Sequence, residues 1–387
     1  MDFGKLPKEW RVSPLEDICV IIAGQSPASE FYNSNADGFP FFQGKTDFGD
    51  LYPQTRIYCS KPKKTADYND ILLSVRAPVG PTNLSPGKVC IGRGITAIRV
   101  TQQINYKYIL YYFRSIEKHL TEMGTGTTFK AITQDEIKRI RVPLPSIPEQ
   151  ERIVVKIDEL FSELDKGIET LQKVKEQLRV YRQAVLKDAF NSNDKFELLG
   201  NLCDTRLGKM LDKHKNKGVH QPYIRNLNVR WFEFDLSDLL EMRFEPDEED
   251  RFNIIAGDLV ICEGGEPGRC AIWKESYPIK YQKALHRIRP AKTVKSEYIM
   301  YYLWYIGQSG IIQKYFTGTG IKHLTGESLK KIPIPVNTIV KQTKIVEIIE
   351  SQFSVCDKIE QTINEALQQS DSLRQSVLNK AFKGQLI

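Results

Sequence analysis

"RQAVLKDAF", Arg182–Phe190, returns as "RQSVLNKAF", Arg374–Phe382, 192 residues later in a chain of 387. The match spreads outward from these nine residues. "YILYYF" at Tyr108 returns as "YIMYYL" at Tyr298, and "GTG" at Gly124 returns at Gly318. "ITQDEIKRI", ending at Ile140, returns as "LTGESLKKI", ending at Ile332, and "PLP" at Pro143 returns as "PIP" at Pro333. Nearer the start, "DILLSVRAPVG" at Asp70 faces "DLVICEGGEPG" at Asp258. The offset drifts from 184 at Cys19 and Cys203 to 192 at the ends, as small loop insertions produce. The chain is a tandem duplication.

Each copy divides into a compact part and a long helix. After Pro148 the first copy runs to Phe190 with Gly167 as its one glycine and no proline. Its apolar residues fall at Ile153, Ile157, Leu160, Leu164, Ile168, Leu171, Val174, Leu178, Tyr181 and Val185, in steps of three and four. That is one stripe of an amphipathic helix. Ile345, Ile349, Phe353, Cys356, Ile359, Ile363, Leu367, Leu373 and Val377 repeat it in the second copy. A helix of about 40 residues is about 60 Å long, more than a small domain can cover. The stripe of each helix therefore predicts the other helix as its partner, in an antiparallel coiled coil with pseudo-twofold symmetry. Packing of each helix on its own compact part alone is the competing arrangement. Pro143, Pro145 and Pro148, and Pro333 and Pro335, fix the entries to the two helices. Gly384 and Asn191-Ser192-Asn193 mark their ends. The expected domains are 1–147, 148–190 (helix), 191–340 and 341–387 (helix).

The compact parts read as mixed α/β. Short β-rich runs, "ILLSVRA", "CIGRGITAIRV", "DLVICEG" and "ALHRIRP", alternate with Gly-, Pro- and Asn-marked turns. A helix over about 106–122, matched over 298–315, precedes each Gly-Thr-Gly loop. Those glycines permit a phosphate or another chain to approach the backbone closely.

Composition bounds the function. Apolar residues make up 41% and charged residues 27%, the balance of a folded globular chain. "YIMYYLWYI" is about half the length a membrane span needs, and "MDFGKLPKEW" has no apolar core behind basic residues, so neither a membrane helix nor a secretory signal is expected. The seven cysteines are scattered without a Cys-x-x-Cys pair, and the five histidines lack ligand spacing. They are read as reduced, mostly buried thiols of a cytoplasmic protein, with no metal site. Residues 149–190 hold 8 basic and 9 acidic side chains, and 341–383 hold 6 of each. Of the net charge of +7, the helices carry -1, so the remainder of the chain carries +8. Two basic lobes on a neutral spacer suit a polyanion contacted at two places.

The Gly-Thr-Gly loop, "ITQDEIKRIRVPLPSIPEQERIVVKIDELF", and a long helix ending "RQAVLKDAF", all duplicated, resemble the specificity subunit of type I restriction-modification systems. The opening "LPKEWRVSPLEDI", the closing "AFKGQL" and "YIRNLNVRW" at Tyr223 are similar to that family too. The second copy departs from the pattern: "VNTIVKQTKI" replaces "SIPEQERI", and Gln342 remains where Gln150 stood while the acidic residue and the last proline are gone. The resemblance implies two target recognition domains, each reading one half of a split double-stranded DNA sequence. It implies that the helix pair acts as a ruler between them. It further implies partners: methyltransferase subunits, two in number, which bring S-adenosylmethionine, and restriction subunits, which use ATP and Mg²⁺ to translocate and cut DNA. No cofactor is expected on this chain itself.

Missing motifs agree with imported chemistry. The sequence has no Pro-Pro pair, hence no "NPPY" or "DPPY" methyltransferase motif, and in "GFPFFQGKT" Gly38 lies one residue too far from Gly44 for a phosphate-binding loop. "PDEED" at Pro246 has no carboxylate-x-lysine after it at nuclease spacing. Side chains able to make bidentate or edge contacts to bases are Gln43, Lys45, Arg76, Arg93 and Lys130 in the first lobe. In the second they are Arg225, Asn226, Asn228, Arg230, Arg269, Lys283 and Lys322. Arg93, between Gly92 and Gly94, and Arg225 in "YIRNLN" are the foremost of these. Two other functions fit the same residues: a stand-alone DNA-binding regulator, and a coiled-coil scaffold that binds no DNA.

Overall fold

A computed structural model of the chain describes residues 6–101, 103–124, 131–191, 195–212, 216–248 and 250–387. The chain divides into two compact units, Met1–Leu171 with Asn364–Ile387, and Gln172–Ile363. Each unit thus takes the start of one long helix and the end of the other. Lys130, most of the first Gly-Thr-Gly loop and Ser192-Asn193 lie outside the described residues.

In the first unit a four-stranded antiparallel sheet orders Cys19–Ala23, Ile95–Val100, Ile71–Ser74 and Thr82–Leu84. Its central strand Ile71–Ser74 is buried throughout because both faces are covered. Ile71 and Leu73 join Ile98 and the helix Tyr106–Ser115 in one core, while Leu72 points the other way with Ile95 and Ala97 toward Phe42 and Ile91. The alternation of side chains along a strand thus serves two cores. A five-stranded sheet lies on that second side, and in it Phe39–Phe42 runs parallel to Val89–Ile91. The second unit repeats the plan with Cys203–Leu207, Leu285–Pro290, Leu259–Cys262 and Cys270–Ile272. Leu259 and Ile261 face the helix Ser296–Gln308, and Val260 and Cys262 face a four-stranded sheet in which Val219–Ile224 runs parallel to Ile279–Tyr281. All seven cysteines are buried free thiols. No helix among the described residues is long and apolar enough to cross a membrane.

Duplicated polar contacts hold the two frames. Asp70 pairs with Arg99 and accepts from Asp67 N, while Asp258 pairs with Arg289 and accepts from Ile255 N. Gln150 serves the same purpose. Its buried amide accepts from Asn105 N and donates to Pro145 O, tying the long helix to the start of Tyr106–Ser115. Gln342 does the same with Lys295 N and Asn337 O. Buried amides with both ends bonded are positions a substitution cannot easily replace.

The long helices span Ile147–Asn191 and Ile339–Ala381. In the first unit the beginning of the first packs beside the end of the second, where Leu164, Ile168 and Leu171 face Leu373 and Val377 across a shallow groove. In the second unit Arg182 pairs with Asp357 and Glu360, and Tyr181 donates to Gln352. The antiparallel pairing expected from the stripes is therefore present in each unit. The partner-by-partner duplication is close: Arg182 meets Asp357 in one unit, and Arg374 meets Asp165 in the other. Three stripe residues, Tyr181, Ile359 and Leu373, are exposed instead of buried. A two-helix seam covers a narrower stripe than a helix on a globular core does.

The repeated nonapeptide closes both units. Phe190 ends the first long helix against Tyr298, Tyr302 and Tyr305, at ring separations of 5.4, 5.3 and 5.9 Å. Phe382 ends the second against Tyr108 and Tyr112, at 5.0 and 5.2 Å. Each copy thus sends its terminal phenylalanine into the other copy's tyrosine helix.

Candidate nucleic-acid interface

Parallel strands bring their carboxyl ends to one edge, and in both units the chain opens a cleft there. In the first unit Phe39–Phe42 runs out through Gln43 and Gly44 into the turn Lys45–Asp47, and Val89–Ile91 runs out into Gly92-Arg93-Gly94. Gly92 N donates to Phe42 O at 2.8 Å, and Val75 N donates to Gly94 O at 2.9 Å, so Arg76 forms the third wall. Gly94 is required: a Cβ there would stand 2.1 Å from Gln43 O. The resulting cleft of about 610 Å³ is lined by Ser26, Gln43, Lys45, Arg76 and Arg93 among others. Lys45, Arg76 and Arg93 are exposed, and none forms an ion pair with a described residue. Three exposed cations in one concavity favour an anion there.

The second cleft is the same construction with other side chains. Val219–Ile224 runs out through Arg225 into the turn Asn226–Asn228, and Ile279–Tyr281 runs out into Gln282-Lys283-Ala284. Gln282 N donates to Ile224 O at 3.1 Å, and Glu263 N donates to Ala284 O at 2.8 Å. Position by position, Phe42 matches Ile224, Arg93 matches Lys283, and Val75-Arg76 match Glu263-Gly264. Ala284 holds φ +107°, a strained value for a residue with a Cβ, at the position of Gly94. The cleft, about 570 Å³, is lined by Asn226, Glu263, Lys283, Thr317 and His323 among others. The second Gly-Thr-Gly loop supplies its rim, pinned by Thr317 N to His323 O at 2.8 Å and His323 N to Thr317 O at 2.9 Å. Behind it His286 is buried with Nε2 3.2 Å from Leu324 O, and burial lowers its pKa below the ordinary histidine value. Burial also pushes the Cys262 thiol up to about 11, so it stays protonated at neutral pH.

The structure thus gathers Gln43, Lys45, Arg76 and Arg93 in one cleft and Asn226 and Lys283 in the other. Lys322 sits on the Gly-Thr-Gly rim with Nζ donating to Gly318 O at 2.8 Å, and Arg230 lies 3.7 Å from Asp235. Three residues selected from the sequence are framework. Asn228 is buried, its amide spent on Arg225 N, Asp235 O and Asp238 O. Arg269 holds Glu266 and the Asn226 carbonyl, and Arg225 pairs with Asp238. The Asn228 amide and part of each guanidinium thus stabilise the loop that carries Asn226. Ser26, Glu263, Thr317 and His323 are cleft residues that sequence reasoning did not select.

Two equivalent α/β frames, each opening a basic or mixed cleft, define a protein built from a duplicated module, and no group of three or more metal-ligating side chains occurs among the described residues. The sequence profile of the type I restriction-modification DNA specificity domain matches residues 7–178 and again 193–369. The chain belongs to this family. It is 39% identical over 188 residues to a putative type I restriction enzyme MjaX specificity subunit of Methanocaldococcus jannaschii, an alignment covering 48% of this chain and 43% of that one. Over 424 residues it is 24% identical to the EcoKI specificity subunit of Escherichia coli, covering 100% of this chain and 91% of the relative. The fold is similar to that of the HsdS subunit from Thermoanaerobacter tengcongensis, with TM-score 0.63 and 18% identity over 99% of both chains. A chain from a study of type I system assembly and conformational transition matches at TM-score 0.79, with 18% identity over 99% of this chain and 100% of that one.

Proposed function

We propose that this subunit reads a bipartite DNA target, one half-site in each cleft, and docks methyltransferase and restriction subunits that perform the chemistry. The observation that carries this reading is the duplicated cleft: the same strand ends and loops present exposed polar and cationic side chains twice, in a chain whose profile matches a DNA specificity family twice. Arginine and lysine suit guanine edges and phosphates, and asparagine suits adenine. The neutral long helices act as the ruler between half-sites. Two methyltransferase subunits would supply S-adenosylmethionine, and the restriction subunits would use ATP and Mg²⁺, all in the cytoplasm where the host DNA lies.

The test is a gel shift of genomic DNA fragments with this chain alone and with a co-expressed methyltransferase subunit, at two salt concentrations. Salt-sensitive, sequence-selective binding that requires the methyltransferase subunit supports the proposal. Tight selective binding by the chain alone would indicate a regulator instead, and no salt-sensitive binding in either case would indicate a scaffold.

A further inference from the structure

The two clefts share a frame but differ in charge at one corner. In the first unit, Val75 is buried and Arg76 projects into the cleft. In the second unit the equivalent pair is Glu263 and Gly264. The backbone is held alike in both: Val75 N donates to Gly94 O and its carbonyl accepts from Ile132 N, while Glu263 N donates to Ala284 O and its carbonyl accepts from Leu324 N. Position is therefore constant and the side chain alone changes.

Glu263 is half-buried, and its carboxylate makes no hydrogen bond or ion pair with any described residue. The nearby His286 is held toward its neutral form by burial and supplies little counter-charge. A carboxylate in such a place costs free energy, and facing a phosphate backbone it costs more. With no bonded partner among the described residues, the carboxylate is open to a hydrogen-bond donor from outside the chain. On the edges of base pairs in the major groove the donors are the exocyclic amino groups, cytosine N4 and adenine N6. The acceptors, guanine O6 and N7, are what the Arg76 fork in the first cleft suits.

We infer that the two clefts read base edges of opposite polarity: Arg76 reads an acceptor edge, guanine, in one half-site, and Glu263 reads an amino group, cytosine or adenine, in the other. This rests on the proposed DNA reading and adds to it which base class each corner selects.

The experiment maps the methylated sequences in cells that express the chain with its methyltransferase subunits, comparing wild type with Glu263→Gln, Glu263→Ala and Arg76→Ala. Wild type is expected to methylate one bipartite sequence; if it methylates none, the parent reading fails, and this inference with it. Glu263→Gln and Glu263→Ala are expected to relax a single amino-bearing position of one half-site, with a loss of about 5- to 150-fold in preference for the cognate base. Arg76→Ala is expected to relax a guanine position in the other half-site. A carboxylate that merely repels DNA gives the opposite sign: its removal would strengthen binding to all sequences alike. That result, or an unchanged methylated sequence in the Glu263 variants, overturns the inference while leaving the parent reading intact. Both Glu263 variants keep the other half-site as an internal control for folding.

Discussion

Replacing Phe382 with alanine should open the first compact unit, although Phe382 belongs to the second copy of the duplication. The ring is buried and meets Tyr108 and Tyr112 edge-on at 5.0 and 5.2 Å. Deleting a buried phenylalanine side chain costs about 3–5 kcal/mol, a range that includes the cavity left behind. Amides that exchange by opening this part of the unit should then exchange about 10² to 4 × 10³ times faster. Hydrogen exchange followed by mass spectrometry resolves the effect by segment. Acceleration is expected in Tyr106–Ser115, with Ser296–Gln308 unchanged. Phe190→Ala should give the mirror image. Acceleration confined to Ser296–Gln308 in Phe382→Ala would refute the exchanged docking of the helix ends.

Gly94→Ala should collapse the first cleft, because its Cβ would meet Gln43 O at 2.1 Å and the backbone must move; a loss of about 1–3 kcal/mol in denaturant unfolding is expected, with selectivity lost in one half-site. His286 gives a pH dependence. Its folded pKa is depressed, so its contribution to stability is present above the unfolded value of about 6.5 and lost as pH falls through the folded value. Chemical denaturation across this range should show the second unit weakening on acidification, and His286→Gln should flatten that slope. Inserting seven residues at matched points of both long helices should lengthen each by about 10 Å. The gap in the recognised sequence should then grow by about three base pairs, at about 3.4 Å per pair, as read from the methylated sequence.

The long helices and their pairing were legible because little besides an amphipathic helix produces an apolar stripe in steps of three and four over some 40 residues. Their register was not, because periodicity fixes which face is apolar but not which residues meet; the Arg182–Asp357 and Arg374–Asp165 pairs appear only in the structure. The strands "DILLSVRA" and "DLVICEG" were legible from composition, but their two-sided burial was not, because it depends on sheets assembled from distant segments. The clefts lay further out of reach. Gln43, Arg76 and Arg93 meet only because Phe41 and Phe42 pair in parallel with Cys90 and Ile91, a contact that local pattern does not encode. Asn228 and Arg269 looked like base readers since a side chain's inventory of donors does not reveal that its own loop consumes them. Glu263 could have been found, for aligning the two copies sets Val75-Arg76 against Glu263-Gly264.

The central claim is that each cleft reads its own half of one target. It is tested most directly by mapping methylated sequences for complexes carrying Arg93→Ala or Lys283→Ala, two residues at equivalent positions in the two copies. Arg93→Ala should relax one half-site and Lys283→Ala the other, with the gap between them fixed. If both variants altered the same half-site, or neither altered the sequence, the two clefts would not read separate halves of the target.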